Sequence, residues 1–331
     1  MHSIRRLQPT RYARVLSFWA RNLISRTDMF PFYASFKVTS RCHFRCHFCD
    51  IWKNPHPDLS GEDVRRVLSN LGRSSILLVS LEGGEPLMRP DIGEILKFAR
   101  TQPFYILLTT SESRLSDYPM EEYGPYIDFF HVSIDEGHRN LDMFDELEEY
   151  KRWGSEVSVQ TVVTGETLAE LEWKVERCHK AGVTIVIMPA VDLDHDSDHY
   201  PAPGAFRESV TRLKELYPRT IITPAGFLDA INRPHGCSPA SIIIRSDGAL
   251  YYPCRVLDTT VGNLVESDLK DILRSGEAVE ARKVMVECGR RCGWYQYFAI
   301  RSYTNPREAI PLLLEQIRGT KADLSDPHTV R

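Results

Sequence analysis

Residues 34–49 read Ala-Ser-Phe-Lys-Val-Thr-Ser-Arg-Cys-His-Phe-Arg-Cys-His-Phe-Cys, and residues 76–86 read Ile-Leu-Leu-Val-Ser-Leu-Glu-Gly-Gly-Glu-Pro. Each begins as a short apolar, β-rich run and breaks into a polar or glycine-rich turn. Between them Ser60 opens an S-x-x-D pattern with Asp63, the mark of a helix N-terminus. The alternation continues: residues 34–38, 76–81, 105–109, 129–133, 157–163 and 183–188 read as strands. Thr167 precedes a run that sets Leu168, Leu171, Val175 and Cys178 on one helix face. Strand-then-helix units in succession predict an α/β fold with a parallel sheet and right-handed crossovers, either curled into an open barrel or doubly wound. Chemistry then belongs at the carboxyl ends of the strands.

Around this core the chain of 331 residues has the length of one large α/β domain with an appendage. Hydrophobic residues make up 42% and charged residues 26%, which excludes wholesale disorder. A formal net charge of −4 provides no global basic field, which argues against duplex nucleic acid as a partner. No stretch reaches the ~18 apolar residues of a membrane span, and the N-terminus lacks the apolar core of a secretory signal. A cytosolic, monomeric protein is the expectation.

The N-terminal segment is locally basic, with Arg5, Arg6, Arg11, Arg14, Arg21 and Arg26 preceding the first acidic residue, Asp28. Tyr12, Val15, Leu16, Trp19, Leu23 and Ile24 recur at helical spacing, so an amphipathic helix is expected within residues 1–33. Such a helix either packs its apolar stripe on the domain or lies on an anionic membrane at the inner face.

Cysteine placement carries the chemistry. Cys42, Cys46 and Cys49 form C-x3-C-x2-C directly after the first strand, while Cys237, Cys254, Cys288 and Cys292 lie near the end. Clustered thiolates in a reducing compartment select zinc or iron–sulfur. His43 or His47 offers a fourth ligand for a structural zinc. Cys178, on an apolar helix face, reads as a small buried residue.

The first cysteine group, with Phe48 before its last member, followed by Gly83-Gly84-Glu85-Pro86 after the second strand, closely resembles the radical S-adenosylmethionine (SAM) superfamily. The resemblance implies a partial (β/α)6 barrel over residues 34–217 and a [4Fe–4S] cluster on Cys42, Cys46 and Cys49 with one iron left open for SAM. It further implies reductive cleavage of SAM to a 5′-deoxyadenosyl radical, and removal of a substrate hydrogen. The two glycines would let the backbone approach the methionine part of SAM, and Glu85 would accept from its ammonium. Relatives often carry Thr where this chain has Glu82. Ser133 and Asp135 resemble a segment that contacts SAM, with a strand-end turn as the bland alternative, and Ser111 stands where relatives often carry Asn.

The second group, with the Asp247-Gly248 turn and Pro253 before Cys254, looks like the auxiliary-cluster extension called Twitch, the shorter relative of SPASM. It implies a hairpin-and-helix module over residues 218–300 and a second [4Fe–4S] cluster on Cys237, Cys254, Cys288 and Cys292. Five residues separate Gly248 from Cys254 where four are usual, and the last pair is C-x3-C rather than C-x2-C. A zinc ribbon is the competing reading. Residues 301–331 are expected to form a helix and tail.

Two further features stay open. The run Asp192-Leu-Asp194-His195-Asp196-Ser-Asp198-His199 after the sixth strand is a solvated loop, a substrate contact or a cation site. Tyr295, Tyr297 and Arg301 line a pocket or pack the module boundary. The expected function is hydrogen abstraction followed by oxidation or bond formation on a small, sugar-like or lipid-linked molecule, with the auxiliary cluster accepting an electron. A flavodoxin- or ferredoxin-type donor is the implied partner. The alternatives are a peptide maturase working with a separate recognition protein, and a non-catalytic zinc or iron–sulfur protein. No substrate-facing residue carries a motif, so no general base is assigned.

Overall fold

The apolar runs become β1 (Tyr33–Thr39), β2 (Leu78–Gly83), β3 (Tyr105–Thr110), β4 (Phe129–Ser133), β5 (Glu156–Val163) and β6 (Thr184–Pro189). The computed structural model describes residues 13–14, 16–21, 30–153, 156–191, 199–231, 236–252, 259–289 and 293–295. All neighbouring pairs among the six strands are parallel. Between them lie α1 (Gly61–Gly72), α2 (Ile92–Ala99) and α3 (Leu171–Ala181), with α4 (Pro203–Leu216) after β6. Ser60 caps α1 as its pattern predicts, accepting the Asp63 N–H at 3.1 Å. Gly182 ends α3 in the left-handed region at φ 62°, which glycine adopts without strain.

Two boundaries differ from the expectation. Ile76 and Leu77 are buried but precede β2, because Leu77 donates its N–H to Phe32 O before pairing with β1 begins. Leu168 falls in a short 3-10 turn, and α3 starts only at Leu171.

The described C-terminal strands join the same sheet. Strand β7 (Ser241–Ile244) pairs parallel with β1, and β8 (Ala249–Tyr251) and β9 (Thr260–Asn263) follow antiparallel, giving one sheet in the order β6-β5-β4-β3-β2-β1-β7-β8-β9. The physical reason is the all-apolar stretch Ile242-Ile243-Ile244: Ser241–Ile244 is buried throughout, as an interior strand must be. Gly248 makes the hairpin turn at φ 84°. A buried amide then fastens this part to the barrel: Asn70 of α1 donates to Leu264 O at 3.3 Å and Ser267 O at 2.9 Å, and accepts the Leu269 N–H at 2.9 Å.

Strand alternation sorts the sheet into two faces. Ala34, Phe36, Val38, Val79, Leu81, Ile106, Leu108, Phe130 and Val132 join the apolar core. There they meet Val64, Val67, Leu68 and Leu71 of α1 and Ile92, Ile95 and Leu96 of α2. Each fully buried aliphatic side chain there contributes roughly 1.5–3 kcal/mol. The opposite face carries Ser35, Lys37, Glu82, His131 and Gln160 and lies away from the helices.

Of the N-terminal segment, residues 13–14 and 16–21 are described and helical where the amphipathic pattern places a helix. Of the expected apolar stripe, Leu16 is 63% exposed and Trp19 half-buried, while Phe18 is the buried contact, edge-on to Phe32 at 5.4 Å. Arg14, four residues earlier on the same face, donates to Gly72 O, Ser74 O and Ile76 O at 3.0–3.3 Å. An arginine ends up on the packed face because the carbonyls behind α1 need donors. Tyr12, Val15, Leu23 and Ile24 lie outside the described residues.

Asn70→Ala strips one carbonyl pair and one N–H of their partners in a buried place, so a loss of about 1–3 kcal/mol is expected, read as a lower urea midpoint. An unchanged midpoint would show that the C-terminal strands are not fastened through this amide.

Candidate functional site

The carboxyl edge of the parallel strands gathers three loops. The first follows β1 and holds Cys42, half-buried, Cys46, buried, and Cys49, half-buried, with Cys46 and Cys49 joined in one turn by Cys49 N–H to Cys46 O at 3.2 Å. Burial pushes the Cys42 thiol up to about 11. Arg89, only 4% exposed, braces the base of this loop by donating to Val38 O and Leu59 O, both at 2.7 Å.

The second loop is the glycine turn after β2. Gly84 N–H donates to Thr39 O and Glu85 N–H to Arg41 O, each at 2.8 Å. A Cβ on Gly83 would run into the Thr39 carbonyl, and one on Gly84 into the Arg41 carbonyl and Cys42 Cβ. Both glycines are therefore required by the chain itself, which zips this turn to the cysteine loop.

Glu85 has its own partners within the chain. Its side chain is fully buried and faces β3: one carboxylate oxygen accepts the Thr110 hydroxyl at 2.7 Å and the Leu87 N–H at 3.0 Å, and the other accepts the Ser111 N–H at 2.9 Å. With those partners it holds the second loop to the third strand. Pro86 begins the short turn that follows.

The third loop follows β4. Asn140, fully buried, donates to Ser111 O and Ser133 O at 2.9 Å and accepts the Asp135 N–H at 3.2 Å. Sequence reading passed over Asn140; the one signal was a lone amide ahead of the apolar Leu141, Met143 and Phe144. Asp135 is likewise fully buried and turned inward, accepting the His138 N–H at 3.0 Å and the Val162 N–H at 3.4 Å. His138 Nδ1 lies 2.8 Å from Asp135, an ionic contact without hydrogen-bond alignment. This loop closes on the first one: Cys46 Sγ donates to Gly137 O at 3.3 Å, Phe48 fills the space where a Gly137 side chain would stand, and the His138 ring packs edge-on to Phe44 and Phe48.

All the expected first-site residues thus meet at one edge: Phe48, Gly83, Gly84, Glu85, Pro86, Ser111, Ser133 and Asp135, with the three cysteines. Three soft thiols on an eight-residue loop at the carboxyl edge fit an iron–sulfur cluster by donor chemistry and placement. Among the described residues no three His, Cys, Asp or Glu side chains stand together in metal-holding geometry, so ligation would draw these thiols together and release their protons.

Of the second group, Cys237 and Cys288 are brought together, since both backbone N–H groups donate to Met285 O, at 2.8 and 3.3 Å. That carbonyl lies in the last turn of α5 (Gly276–Val286). Cys254 and Cys292 lie outside the described residues, as do Pro253, Tyr297, Arg301, residues 192–198 and residues 301–331. His199, at the end of that acidic run, sits against His47 with ring centroids 4.7 Å apart and contacts Glu166 at 2.9 Å. Tyr295 packs edge-on to Phe227 at 5.2 Å, at the boundary between the two parts of the chain. Cys178 is fully buried, and burial raises its thiol pKa, in line with a packing role.

Burial pushes Glu85 up to about 7, against the pull of Ser111, Thr110 and Leu87. In the unfolded chain a glutamate ionises near 4.3, about its ordinary value, so over that window the folded protein holds a proton the unfolded chain has lost. This contribution to stability is complete below the unfolded value and disappears as pH rises through about 7. Glu85→Gln is expected to flatten the fall in urea midpoint between about pH 5 and pH 8. An identical slope in both proteins would place the titration elsewhere.

Asn140→Ala leaves two carbonyls and an N–H unsatisfied, for an expected loss of about 1–3 kcal/mol in the same urea assay. Unchanged stability would mean that solvent takes over all three bonds.

Comparison with known proteins matches this geometry. Residues 36–200 fit the Radical SAM superfamily model. The GTP 3′,8-cyclase of Aeromonas hydrophila subsp. hydrophila is 28% identical over 227 residues, covering 64% of this chain and 59% of that protein. The PqqA peptide cyclase of Rhodopseudomonas palustris is 33% identical over 99 residues, covering 28% of this chain and 26% of that one. The chain thus spans about three fifths of the length of the first of these relatives. In fold it is similar to Streptococcus suis SuiB bound to S-adenosylmethionine, with a TM-score of 0.66 and 16% identity over 86% of this chain and 77% of that one. It is also similar to anSMEcpe with bound AdoMet and a Cp18Cys peptide, with a TM-score of 0.64 and 15% identity over 88% and 99%. No helix among the described residues is long and apolar enough to cross a membrane. Through the domain of residues 36–200, the chain is a member of the radical SAM superfamily.

Proposed function

We propose that the protein is a radical SAM enzyme acting on a polar substrate at the inner face of its barrel, with Cys42, Cys46 and Cys49 holding a [4Fe–4S] cluster. The observation that carries this reading is the backbone zipper between the cysteine loop and the Gly83-Gly84 turn, which sets three thiols beside a turn free of side chains. The cluster with SAM supplies one-electron cleavage of the sulfonium and removal of a substrate hydrogen atom. The chain's own part is positional. Glu85 and Asn140 hold the three loops in register, and Phe48 of the cysteine loop packs against Gly137 and His138 of the third.

Cys237, Cys254, Cys288 and Cys292 form the second metal site in this reading, a Twitch-like [4Fe–4S] cluster that takes up an electron from the substrate. Its support is the shared Met285 carbonyl that draws Cys237 and Cys288 together. A flavodoxin- or ferredoxin-type protein would supply the electron for SAM cleavage. A second reading, a peptide substrate delivered by a separate recognition protein, draws on the similarity to PqqA peptide cyclase. The name of the other relative adds GTP as a candidate substrate.

Anaerobic reconstitution is expected to give about eight iron and eight sulfide per chain. Zinc at about two per chain would instead identify a non-catalytic metal protein. Cys49→Ala is expected to abolish formation of 5′-deoxyadenosine from SAM, and Cys254→Ala to lower the product formed per 5′-deoxyadenosine. An unchanged product ratio in Cys254→Ala would remove the second site from the chemistry.

A further inference from the structure

The inner face of the sheet carries an ion pair that the cysteine loop and the glycine turn do not use. Lys37 and Glu82 are register partners on β1 and β2. Their side chains meet at 3.2 Å from Nζ to Oε1 while remaining 23% and 18% exposed. Lys37 lies two residues before Thr39 and Glu82 one residue before Gly83, so the pair sits directly under the two zipped loops. Burial works against the ammonium, but Glu82 beside it holds the Lys37 pKa above its ordinary value.

The pair is asymmetric in what it has left to offer. Glu82 Oε1 accepts both the Lys37 ammonium and the Ser35 hydroxyl. Its second oxygen takes no part in these bonds, and an ammonium has three N–H groups, of which Glu82 occupies one. The inner face therefore presents an anionic acceptor and cationic donors side by side. A hydroxyl both donates and accepts, so two neighbouring hydroxyls complete this pair: one accepts from Lys37 and the other donates to Glu82. A lone amine or a lone carboxylate would satisfy one partner and desolvate the other.

The surroundings extend the match. His131 and Gln160, further along the same face, are in contact at 2.5 Å between Nδ1 and Nε2, and burial pushes His131 down to about 4, so it is a neutral partner at ordinary pH.

We propose that Lys37 and Glu82 are specificity-determining residues that read two neighbouring hydroxyls, and hence that the substrate is a vicinal diol of the sugar, cyclitol or ribose kind. The proposal rests on the radical SAM reading above.

The test uses the full-length protein, cluster-loaded anaerobically, with SAM, a reductant and a deuterium-grown cell extract. The extract is divided on phenylboronate resin into a diol-containing fraction and a flow-through. Two quantities are read by mass spectrometry: the ratio of deuterated to undeuterated 5′-deoxyadenosine, and the compounds that stay with the protein through a gel-filtration spin column. Deuterium is expected from the diol fraction, with loss of the signal after periodate cleavage of vicinal diols. Anion exchange of that fraction then separates a ribonucleotide source from a neutral sugar or cyclitol. Lys37→Met and Glu82→Gln should retain their iron and lose the bound compound, with the deuterium ratio falling roughly tenfold or more. A periodate-resistant donor, a protease-sensitive donor in the flow-through, or unchanged binding in both variants would overturn the proposal while leaving the enzyme reading intact. No 5′-deoxyadenosine from any fraction would instead overturn the enzyme reading, and the proposal with it.

Discussion

Everything at the carboxyl edge depends on the close approach of two backbones, Gly83-Gly84 against residues 39–42. Two N–H groups of the glycine turn are satisfied by carbonyls of the neighbouring loop, and the approach leaves no room for a Cβ at either glycine. Hydrogen-bonded backbone in both loops fixes where the first thiol starts and where the second strand ends. Glu85 then carries the constraint to β3 and Asn140 carries it on to β4, each through a fully buried polar group with several partners. Four consecutive strands are tied at one edge by that backbone pairing and two side chains, at the cost that each buried partner lost leaves others unsatisfied.

The face of the sheet away from the helices is where this rigidity becomes useful. Parallel sheets bury both faces, and here the helix side is aliphatic while the inner side carries Lys37, Glu82, His131 and Gln160. Charges and neutral hydrogen-bonding groups at that depth are tolerated because they pair with one another across neighbouring strands. In the proposed reading, an inner face so furnished would orient a polar molecule beneath the loop of thiols.

Much of this was legible in the sequence because the six strands have strong apolar runs and the two cysteine groups have short spacings. What was not legible has physical reasons. The motifs named Glu85 and Asp135 but not the partners within the chain that both side chains take, since a motif names a residue without naming the direction of its side chain. Asn140 carried no pattern, because a buried amide is recognised only by the three groups it joins. The attachment of β7 beside β1 was missed because pairing partners far apart in sequence leave no periodicity. At the N-terminus the helical pattern did not show that Arg14 would take a packed position, because the carbonyls it meets lie far away in sequence.

The central claim is that the loop of Cys42, Cys46 and Cys49 holds a cluster with a site for SAM. The most direct measurement is the electron paramagnetic resonance spectrum of the reduced protein in which Cys237, Cys254, Cys288 and Cys292 are all replaced by alanine, with and without SAM. The account predicts a reduced [4Fe–4S] signal from the remaining loop whose g-values shift when SAM is added. A cluster signal that SAM leaves unchanged, or a protein that holds zinc and gives no signal, would contradict it.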